Sequence, residues 1–547
     1  MLQPATSYEA LVDGFRWSIP EFYNIGVDIC DKWAEGEPNR RALTIVQPDW
    51  SFRNVSFSEL KAISNQIANL IVSCGVKRGD RVGVLLPQAL ETAASHIAIY
   101  KMGGIAVPLF TLFGPDALEY RIKDAGIGLL ITNATGVEKL SQMSPEVFAG
   151  VNVYSVDGAA EYDNVKDIYT ALSDQSPDFE PVNTRADDPA VIIYTSGTTG
   201  SPKGALHAHR VLLGHLPGME MSHDFFPQAN DVIWTPADWA WIGGLIDVLL
   251  PALHHGIPVI ARRFEKFTGE AAYKLMSLFG VTNAFLPPTA LKMMRATPHD
   301  RENDPLKLRT VGSGGETLGA ELLDWGREVL GVQINEFYGQ TECNLIVSSC
   351  STLFEPRPGV MGRAVPGHQL AVVDAEGNAV PKGAAGQLAV KKGDPVMFLN
   401  YWQNPEATES KFIGDWMLTG DQAIHEGDGW LRFIGRDDDV ITSAGYRIGP
   451  GPIEDCILRH DAVRLAAVIG KPDAARTEIV VAFVVLKDGI QPSEDIKTDI
   501  QNHVRHRLAA HEFPREIHFT DELPVTTTGK IMRRVLRDRL TEEEQSS

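Results

Sequence analysis

A loop rich in hydroxyl groups and glycines has the composition needed to bind phosphate. It runs from Tyr194 to Gly204, reads Tyr-Thr-Ser-Gly-Thr-Thr-Gly-Ser-Pro-Lys-Gly, and follows an apolar run. Its glycines can turn backbone N–H groups toward phosphate oxygens, and Lys203 adds a compact cation. The common P-loop requires Gly-Lys-Ser/Thr at the start of a helix, whereas here Pro202 precedes the lysine and Gly204 follows it. We therefore predict a phosphate-binding loop of a different kind, with ligands at Thr195, Ser196, Gly197, Thr198, Thr199, Gly200 and Lys203.

Six further short motifs follow this loop along the chain. They are Gly314-Gly315-Glu316-Thr317, Glu336-Phe337-Tyr338-Gly339-Gln340-Thr341-Glu342, Leu418-Thr419-Gly420-Asp421, Gly435-Arg436-Asp437-Asp438-Asp439, Gly445-Tyr446-Arg447 and Thr528-Gly529-Lys530. In this order the motifs resemble those of the adenylate-forming superfamily, which includes acyl-CoA synthetases, firefly luciferase and the adenylation domains of peptide synthetases. The resemblance covers nearly the whole chain. It implies an enzyme that uses ATP to convert a carboxylic acid to acyl-AMP and then passes the acyl group to a thiol.

The resemblance implies a nucleotide site built from the middle motifs. Tyr338 would stack on adenine, with the segment 315–317 on the other side of the base. Asp421 would bind the ribose hydroxyls, and Arg436 would contact ribose or the α-phosphate. Thr341 and Glu342 would contact phosphate and Mg²⁺, because a cation shared with ATP phosphates needs only one or two protein carboxylates. The remaining predicted ATP-binding residues are Gly315, Glu316, Thr317, Glu336 and Phe337.

The C-terminal motifs resemble the parts that serve the two half-reactions in this superfamily. Lys530 matches the lysine that stabilises charge while pyrophosphate leaves. Asp438 matches the hinge about which the C-terminal domain rotates between the half-reactions. Gly445, Tyr446 and Arg447 match the segment that binds CoA, where a glycine lets the pantetheine arm pass close to the backbone. The sequence that continues through residues 448–454 resembles acetyl- and medium-chain acyl-CoA synthetases.

Three residues are assigned by resemblance to the acyl pocket, namely Trp241, Gly314 and Gly339. Acetyl-CoA synthetases carry a tryptophan at the position of Gly339, where it closes a two-carbon pocket. Glycine would leave that pocket open. We therefore expect an acid larger than acetate, either short to medium in length, branched or sulfur-containing, with aromatic acids still open. For Trp234, a place in the core and a place in the tunnel are equally compatible with the sequence.

Helix and strand patterns alternate along the first part of the chain. Apolar residues repeat at helical spacing between Leu60 and Cys74, and a short apolar run follows at 82–86. The alternation continues to residue 132 and favours mainly parallel sheets covered by helices. At 547 residues the chain is also too long for one core. We predict an α/β protein with a large N-terminal AMP-binding domain at 1–437 and a small mobile α/β lid domain at 438–547.

Composition narrows the functional classes. The formal net charge of −21 argues against a nucleic-acid scaffold, which would need a basic face. Five widely spaced cysteines without a Cys-x-x-Cys pair fit a reducing compartment. The sequence shows neither a secretory signal pattern nor a membrane-spanning apolar run, so a cytoplasmic protein is predicted. The oligomeric state is left open.

Several reactive side chains are predicted to be structural or solvated. Cys343 lacks a thiol-activating motif and is interpreted as a structural cysteine. His207 and His209 are expected on a helix beneath the phosphate loop. The C-terminal histidines and arginines are expected on solvated surfaces, and they are His503, His506, His511, Arg533, Arg534 and Arg537.

Three functions remain open from the sequence. The leading hypothesis is an ATP-dependent acyl-CoA ligase that requires Mg²⁺, with ATP, CoA and a small carboxylic acid as its ligands. A second hypothesis keeps adenylation but transfers the acyl group to the thiol of a carrier protein. A third is a nucleotide-binding regulator without turnover, against which the joint presence of Lys530, Glu342 and Asp421 weighs.

Overall fold

The computed structural model describes residues 1–148, 150–158, 164–195, 201–437, 439–443, 446–473, 476–508, 512–526 and 531–545. Its strands are β1 (Arg41–Val46), β2 (Phe52–Ser56), β3 (Arg81–Leu85), β4 (Ile105–Pro108), β5 (Ile127–Thr132), β6 (Asn152–Ser155), β7 (Val165–Asp167), β8 (Pro189–Thr195), β9 (Lys203–Ala208), β10 (Ile233–Trp234), β11 (Val259–Ala261), β12 (Asn283–Phe285), β13 (Thr310–Gly314), β14 (Ile334–Gln340), β15 (Cys343–Ser348), β16 (Gly362–Ala364), β17 (Leu370–Val373), β18 (Ala385–Lys391), β19 (Asn400–Tyr401), β20 (Phe412–Ile413), β21 (Trp416–His425), β22 (Trp430–Arg436), β23 (Ile441–Ser443), β24 (Tyr446–Ile448), β25 (Val463–Asp473), β26 (Thr477–Leu486) and β27 (Glu516–Phe519).

The α-helices are α1 (Tyr8–Gly14), α2 (Lys32–Gly36), α3 (Phe57–Ser73), α4 (Leu90–Lys101), α5 (Pro115–Ala125), α6 (Ala134–Leu140), α7 (Ile168–Ser173), α8 (Val211–Ser222), α9 (Ile242–Gly244), α10 (Leu250–His254), α11 (Gly269–Leu278), α12 (Pro288–Arg295), α13 (Ala320–Trp325), α14 (Pro405–Glu409), α15 (Pro450–Leu458), α16 (Glu494–Arg507) and α17 (Arg533–Gln545). Short π-helices cover Val27–Asp31, Leu245–Leu249 and Gly326–Leu330, and 3₁₀ turns cover Pro145–Phe148 and Gly427–Gly429. Among the described residues no helix has the length and apolar character needed to cross a bilayer.

The predicted alternation of helices and strands is confirmed in the first part of the chain. The helical pattern from Leu60 becomes α3, whose start is capped where the Ser56 hydroxyl accepts a hydrogen bond from the Glu59 amide. Its apolar residues Leu60, Ile67 and Ile71 are fully buried, as an amphipathic helix on a sheet requires. The run predicted at 82–86 becomes the buried strand β3.

The strands described here form three sheets. One has eight strands in the order β19-β9-β8-β4-β3-β5-β6-β7, and its members from β8 to β7 pair in parallel. The largest has fourteen strands in the order β17-β18-β21-β22-β16-β15-β14-β13-β12-β10-β11-β1-β2, with β20 beside β21. It is parallel between β10 and β14 but antiparallel from β14 to β18. The expectation of mainly parallel sheets therefore fails in that half, where short hairpins connect β14 to β15 and β21 to β22.

The third sheet contains only strands that follow residue 440. Its order is β24-β23-β26-β25, with β27 parallel to β26. It has its own apolar core, in which Ile453, Ile457 and Ile500 are fully buried. The α/β fold class is thus confirmed, and the change of sheet supports the predicted lid, although the boundary at residue 438 stays a prediction.

One local expectation is wrong. His207 lies in strand β9, and His209 follows directly after it, instead of lying on a helix. The error has a physical reason, since β9 is buried on both faces and its apolar run does not alternate.

Candidate active site

The predicted phosphate loop connects two antiparallel strands. Thr195 ends β8, Lys203 begins β9, and the two residues pair across the hairpin. The Thr195 hydroxyl lies 3.5 Å from the carbonyl oxygen of Lys203. The predicted ligands at 196–200 lie outside the described residues. The described part therefore shows that a hairpin base holds both ends of the loop.

Glu342 lies in the tight turn between β14 and β15, together with Thr341. The hydroxyl of Tyr401 donates a hydrogen bond to Oε1 of Glu342. Burial, followed by the charge of Glu342, holds the pKa of Tyr401 far above its usual value, so this tyrosine remains a donor. Tyr401 lies on β19, which pairs with β9, and its ring centroid is 5.3 Å from Nζ of Lys203. Tyr401 thus joins the phosphate loop to Glu342, a link that the sequence analysis missed.

The donor set around Glu342 fits a hard cation shared with phosphates. Tyr401 takes one of the two carboxylate oxygens, and the Thr341 hydroxyl is in the same turn. Within the described residues no group of three His, Cys, Asp or Glu side chains could hold a metal by itself. A magnesium ion here would therefore depend on ATP phosphates and water for most of its ligands, as Mg²⁺ commonly does.

The motif predicted to bind ribose meets the motif that contains Tyr338 through a short hydrogen bond. The hydroxyl of Tyr338 donates to Oδ2 of Asp421 at 2.5 Å. Asp421 also pairs with Arg436 in the register of β21 and β22, so three motifs converge at one place. Burial and the nearby Asp421 carboxylate raise the pKa of Tyr338 well above its usual value. The Tyr338 hydroxyl is therefore a permanent donor that orients the Asp421 carboxylate.

Two polar residues next to this pair were not predicted. The side-chain amide of Gln340 donates to the carbonyl oxygen of Thr419 at 2.9 Å. Nζ of Lys411 lies 3.2 Å from the same carbonyl oxygen and 3.3 Å from Oε1 of Gln340. These contacts hold the part of strand β21 that precedes Asp421. Gln340 was present in the quoted motif, whereas nothing in the local sequence around Lys411 marked it.

The segment 314–318 needs glycine for two different reasons. A Cβ at Gly314 would lie 2.6 Å from the ring of Phe337, which is on the neighbouring strand. Gly315 has φ of +104°, a region that favours glycine. The close approach of β13 to β14 therefore excludes a side chain at the first position, and backbone conformation excludes it at the second.

Glu336 and Phe337 support this segment from beneath. Glu336 is buried, and its Oε2 accepts a hydrogen bond from the amide of Leu318 at 3.1 Å. Burial raises the pKa of Glu336 to about 8. Phe337 is also buried and packs on Phe285 at 5.2 Å between ring centroids. We interpret both as residues that position the segment predicted to face adenine. Glu316, in that segment, is paired with Lys292 at 3.4 Å.

The aromatic residues predicted near the acyl group have separate environments. Trp241 is partly exposed and contacts Phe110 and Phe113, with ring centroids 5.1 Å and 5.8 Å away. Trp234 is fully buried in a different apolar cluster beside Phe264. Of the two places left open for it, the core and the tunnel, it therefore occupies the core. Trp241 therefore remains the tryptophan predicted to contact the acyl group or the pantetheine arm.

The surroundings of Gly339 show why this position carries a glycine. A Cβ at this position would lie 2.2 Å from the amide nitrogen of Leu345 and 2.6 Å from Cα of Asn344. The side-chain direction of residue 339 thus points at the backbone of β15, and Leu345 itself has φ of +57°. A tryptophan here would require the hairpin to move. Glycine at 339 is consequently required by the hairpin, and it is a weaker indicator of an open pocket than the resemblance implied.

The C-terminal predictions divide into described and undescribed residues. Asp438, Gly445 and Lys530 lie outside the described residues, while Tyr446 and Arg447 fall in strand β24. The expectation that Arg533 is solvated is wrong, because its guanidinium makes two hydrogen bonds to Glu454 at 2.7 Å and 2.8 Å. Arg537 pairs with Asp439, whereas Arg534 is 65% exposed.

The other residues that were predicted to have no role in the reaction differ in their surroundings. Cys343 is fully buried, and burial raises the pKa of its thiol well above the usual value, which opposes nucleophilic use. His503 contacts the carbonyl oxygen of Cys456 at 3.1 Å through Nε2, and His506 on the same helix is exposed. His511 lies outside the described residues.

Comparison with known proteins decides the family. Residues 30–402 match the family described as AMP-binding enzyme, and residues 452–530 match the AMP-binding enzyme C-terminal domain. The chain belongs to the AMP-binding enzyme family. This AMP-binding enzyme is 33% identical to acetyl-coenzyme A synthetase of Bacillus subtilis, over 94% of this chain and 90% of that protein. It is 31% identical to the mitochondrial acyl-coenzyme A synthetase ACSM4 of Rattus norvegicus, over 95% and 91% of the two chains.

Solved structures give the same family and fold. An acyl-CoA synthetase of Brucella canis superposes on this AMP-binding enzyme with a TM-score of 0.76 and 34% identity, covering 99% of this chain and 100% of that one. The anthranilate CoA ligase AuaEII, solved with anthranoyl-AMP, superposes with a TM-score of 0.85 and 29% identity, covering 95% and 98%. The adenylate-forming fold and the resemblance to acyl-CoA synthetases are thereby confirmed. The protein is an AMP-forming acid–thiol ligase.

Proposed function

We propose that this ligase activates a carboxylic acid larger than acetate with ATP and transfers the acyl group to CoA. In the first half-reaction a carboxylate oxygen attacks the α-phosphorus of ATP, and pyrophosphate leaves. In the second half-reaction the thiolate of CoA attacks the acyl carbon, and AMP leaves. The single observation that carries the ATP-dependent step is the convergence of Tyr338, Asp421 and Arg436 at one place.

Two clusters of described residues would serve adenylation, one around Asp421 and one around Glu342. Asp421, held by Tyr338, would bind the ribose hydroxyls through its oriented carboxylate. Glu342, held by Tyr401, would bind a magnesium ion together with the ATP phosphates, and this ion would neutralise charge on the leaving pyrophosphate. Lys203 at the end of the phosphate loop would add positive charge beside the same phosphates. Preorganised charge of this kind stabilises the transition state more than the bound substrate.

Lys530 and the segment 445–447 would serve the two half-reactions in turn. We propose that Lys530 contacts the acid carboxylate and the α-phosphate during adenylation, and that the lid then rotates about Asp438. Gly445, Tyr446 and Arg447 would next approach the acyl-adenylate and guide the pantetheine arm of CoA.

The acid is proposed to be short to medium in length, branched, sulfur-containing or aromatic. The support is the partly exposed Trp241 beside Phe110 and Phe113, and glycine at position 339 is compatible with this range but does not carry it, because the hairpin itself requires glycine there. Relatives whose names include acetyl-coenzyme A synthetase and anthranilate CoA ligase are similar to this chain over more than nine tenths of its length. The acids in these two names differ in size, so the acid that this chain uses has to be measured.

The deciding experiment measures pyrophosphate release with ATP, Mg²⁺ and CoA across acids from acetate to decanoate, with branched, thioether and aromatic examples. Turnover that depends on both the acid and CoA, with a preference for acids larger than acetate, would establish the proposal. A preference for acetate would overturn the assigned acid class. AMP release that ignores CoA would favour a carrier-protein thiol as acceptor.

A further inference from the structure

A network of charged side chains involves the first turn of α17, the helix that begins three residues after Lys530. We call it the hinge anchor, and it consists of Asp439, Glu454, Arg533 and Arg537. Arg533 is the first residue of α17 and follows Lys530 by three positions. Asp439 follows the predicted hinge residue Asp438 directly. All four members of the anchor lie within the described residues.

Arg533 is the centre of the hinge anchor. Its Nη2 donates to both carboxylate oxygens of Glu454, at 2.7 Å and 2.8 Å, and its Nη1 lies 3.5 Å from Oδ2 of Asp439. Its Nε donates to the carbonyl oxygen of Val468 at 3.2 Å. Arg537, one helical turn later, pairs with Oδ1 of Asp439. The planar guanidinium of Arg533 therefore fixes three separate parts of the lid relative to one another.

The hinge anchor is shielded from solvent more than ordinary surface ion pairs are. The side chains of Glu454 and Asp439 are 11% and 13% exposed, and that of Arg533 is 19% exposed. Burial lowers the pKa of Arg533, but the Glu454 carboxylate more than offsets this and the net pKa is raised. Removing one partner from such a network leaves a charge poorly compensated, which makes the arrangement specific.

The same region borders the segment predicted to face adenine. The Glu316 carboxylate also raises the pKa of Arg533, and Glu316 lies in the 314–317 motif. Next to Glu454, Oδ2 of Asp455 lies 3.4 Å from the place that a Cβ on Gly319 would occupy. The hinge anchor thus lies where the lid meets the N-terminal part of the chain.

The base of the segment that ends at Lys530 is fixed as well. Val525 and Ile531 form an antiparallel bridge, and the Met532 amide donates to the carbonyl oxygen of Pro524 at 2.8 Å. Leu536 and Leu540 bury the apolar face of α17 against the lid sheet. These apolar contacts hold the helix on the sheet, whereas the hinge anchor ties its first turn to Asp439, the residue after the predicted hinge.

We propose that Asp439, Glu454 and Arg533 are positioning residues that hold the segment ending at Lys530 in register with the hinge, and thereby set the rate of acyl-adenylate formation. The inference rests on the proposed function for the role of Lys530. Asp439 and Arg533 both follow residue 438, so the hinge anchor would move with the lid as one body. The second half-reaction uses the 445–447 segment and would depend on the anchor much less.

The experiment measures the two half-reactions separately in R533Q, R533K, E454Q and the control R534Q. Acid-dependent pyrophosphate exchange reports adenylation, and thioester formation from supplied acyl-AMP and CoA reports the second step. We expect R533Q and E454Q to lower the exchange kcat about 10- to 100-fold, as small displacements of a catalytic group do, with thioester formation changed less than about threefold. R533K keeps the positive charge but loses the paired geometry of the guanidinium. Its rate of pyrophosphate exchange should therefore lie between the rates of R533Q and the wild type.

R534Q is the control for the role of Arg533, and hydrogen exchange is a second measurement. Arg534 is the neighbouring arginine on the same helix and is 65% exposed, so R534Q should change neither half-reaction. Equal loss of both half-reactions in R533Q, or loss of neither, would overturn the inference. Hydrogen exchange of the 520–532 peptide should be faster in R533Q than in R534Q, and equal exchange would overturn it too. If R533Q does not fold, D439N is measured in the same way.

The two proposals can fail independently. Wild-type exchange tests the adenylation reaction before any variant is compared. If the enzyme charges a carrier protein instead of CoA, pyrophosphate exchange and hydrogen exchange still report on the hinge anchor.

Discussion

Tyr338 and Asp421 are 83 residues apart in the chain, yet the hydroxyl of one donates to the carboxylate of the other at 2.5 Å. The pairing joins β14 to β21, which are separated in the sheet by β15, β16 and β22. A carboxylate that accepts such a bond has a fixed orientation before any ligand binds. The pair thus shows how two strand residues from distant parts of the chain hold one carboxylate rigidly.

We expect Y338F to raise the KM for ATP roughly tenfold, since a hydrogen bond to a charged group contributes about 1.5–3 kcal/mol. The phenyl ring would still stack on adenine, so kcat should change less than KM. Steady-state kinetics with varied ATP measures both. Y8F is the matched control, because the Tyr8 hydroxyl donates to the Ala364 carbonyl at 2.7 Å outside the proposed site. An unchanged KM in Y338F would contradict the role assigned to this hydroxyl.

We expect Y401F to raise the Mg²⁺ concentration for half-maximal adenylation about tenfold, because residues that orient a metal ligand commonly have effects of that size. The reason is the loss of the donor that fixes the Glu342 carboxylate. A Mg²⁺ titration of pyrophosphate exchange measures the change. In the control Y273F, a buried tyrosine loses its bond to the Met294 carbonyl elsewhere in the chain. Identical Mg²⁺ curves for Y401F and wild type would count against the metal assignment.

We expect G339W to reduce stability by about 1–3 kcal/mol, the usual cost of forcing extra volume into a packed site. A Cβ at 339 would already lie 2.2 Å from the Leu345 amide nitrogen. Urea unfolding measures the change, and G14W is the control because a Cβ at Gly14 meets no atom within 4 Å. Unchanged stability together with an acid preference narrowed toward acetate would show that position 339 borders the acyl pocket, as the resemblance implied.

We expect K530A to lose acid-dependent pyrophosphate exchange by about 10²–10³-fold, as when one group that stabilises transition-state charge is removed. Supplied acyl-AMP should still be converted to thioester, because that step does not release pyrophosphate. Both half-reactions are measured, with R534A as the control from the exposed face of α17. Equal losses in the two steps would refute the assignment of Lys530 to adenylation alone.

We expect the stability difference between E336Q and wild type to depend on pH. Burial raises the pKa of Glu336 to about 8 in the folded protein, while the unfolded chain has the ordinary value near 4.5. Between these values the folded state binds more protons than the unfolded state, so this group makes stability fall as pH rises, by at most about 1.4 kcal/mol per unit. E336Q should therefore gain stability relative to wild type from pH 5 to pH 8. Urea unfolding across this range measures it, with E21Q as an exposed control, and a constant difference would disprove the shift.

Local structure followed from the sequence wherever periodicity was strong. The helix predicted from Leu60 and the short apolar strand predicted at 82–86 are present in the fold. His207 was misplaced because a strand buried on both faces has no alternation to distinguish it from a helix. Arg533 was wrongly predicted to be solvated because its partner Glu454 lies 79 residues earlier, and no nearby residue indicates that pairing.

The sequence alone determined the chemistry of this protein, because the order and types of its motif residues specify adenylation irrespective of how the strands pair. Only the tertiary structure decided which side chains hold those residues in place. Tyr401 reaches Glu342 from 59 residues away, and the backbone of Leu345 occupies the space beside Gly339. Such contacts depend on the register of strands that are distant in the chain, and a local pattern of residues carries no information about that register.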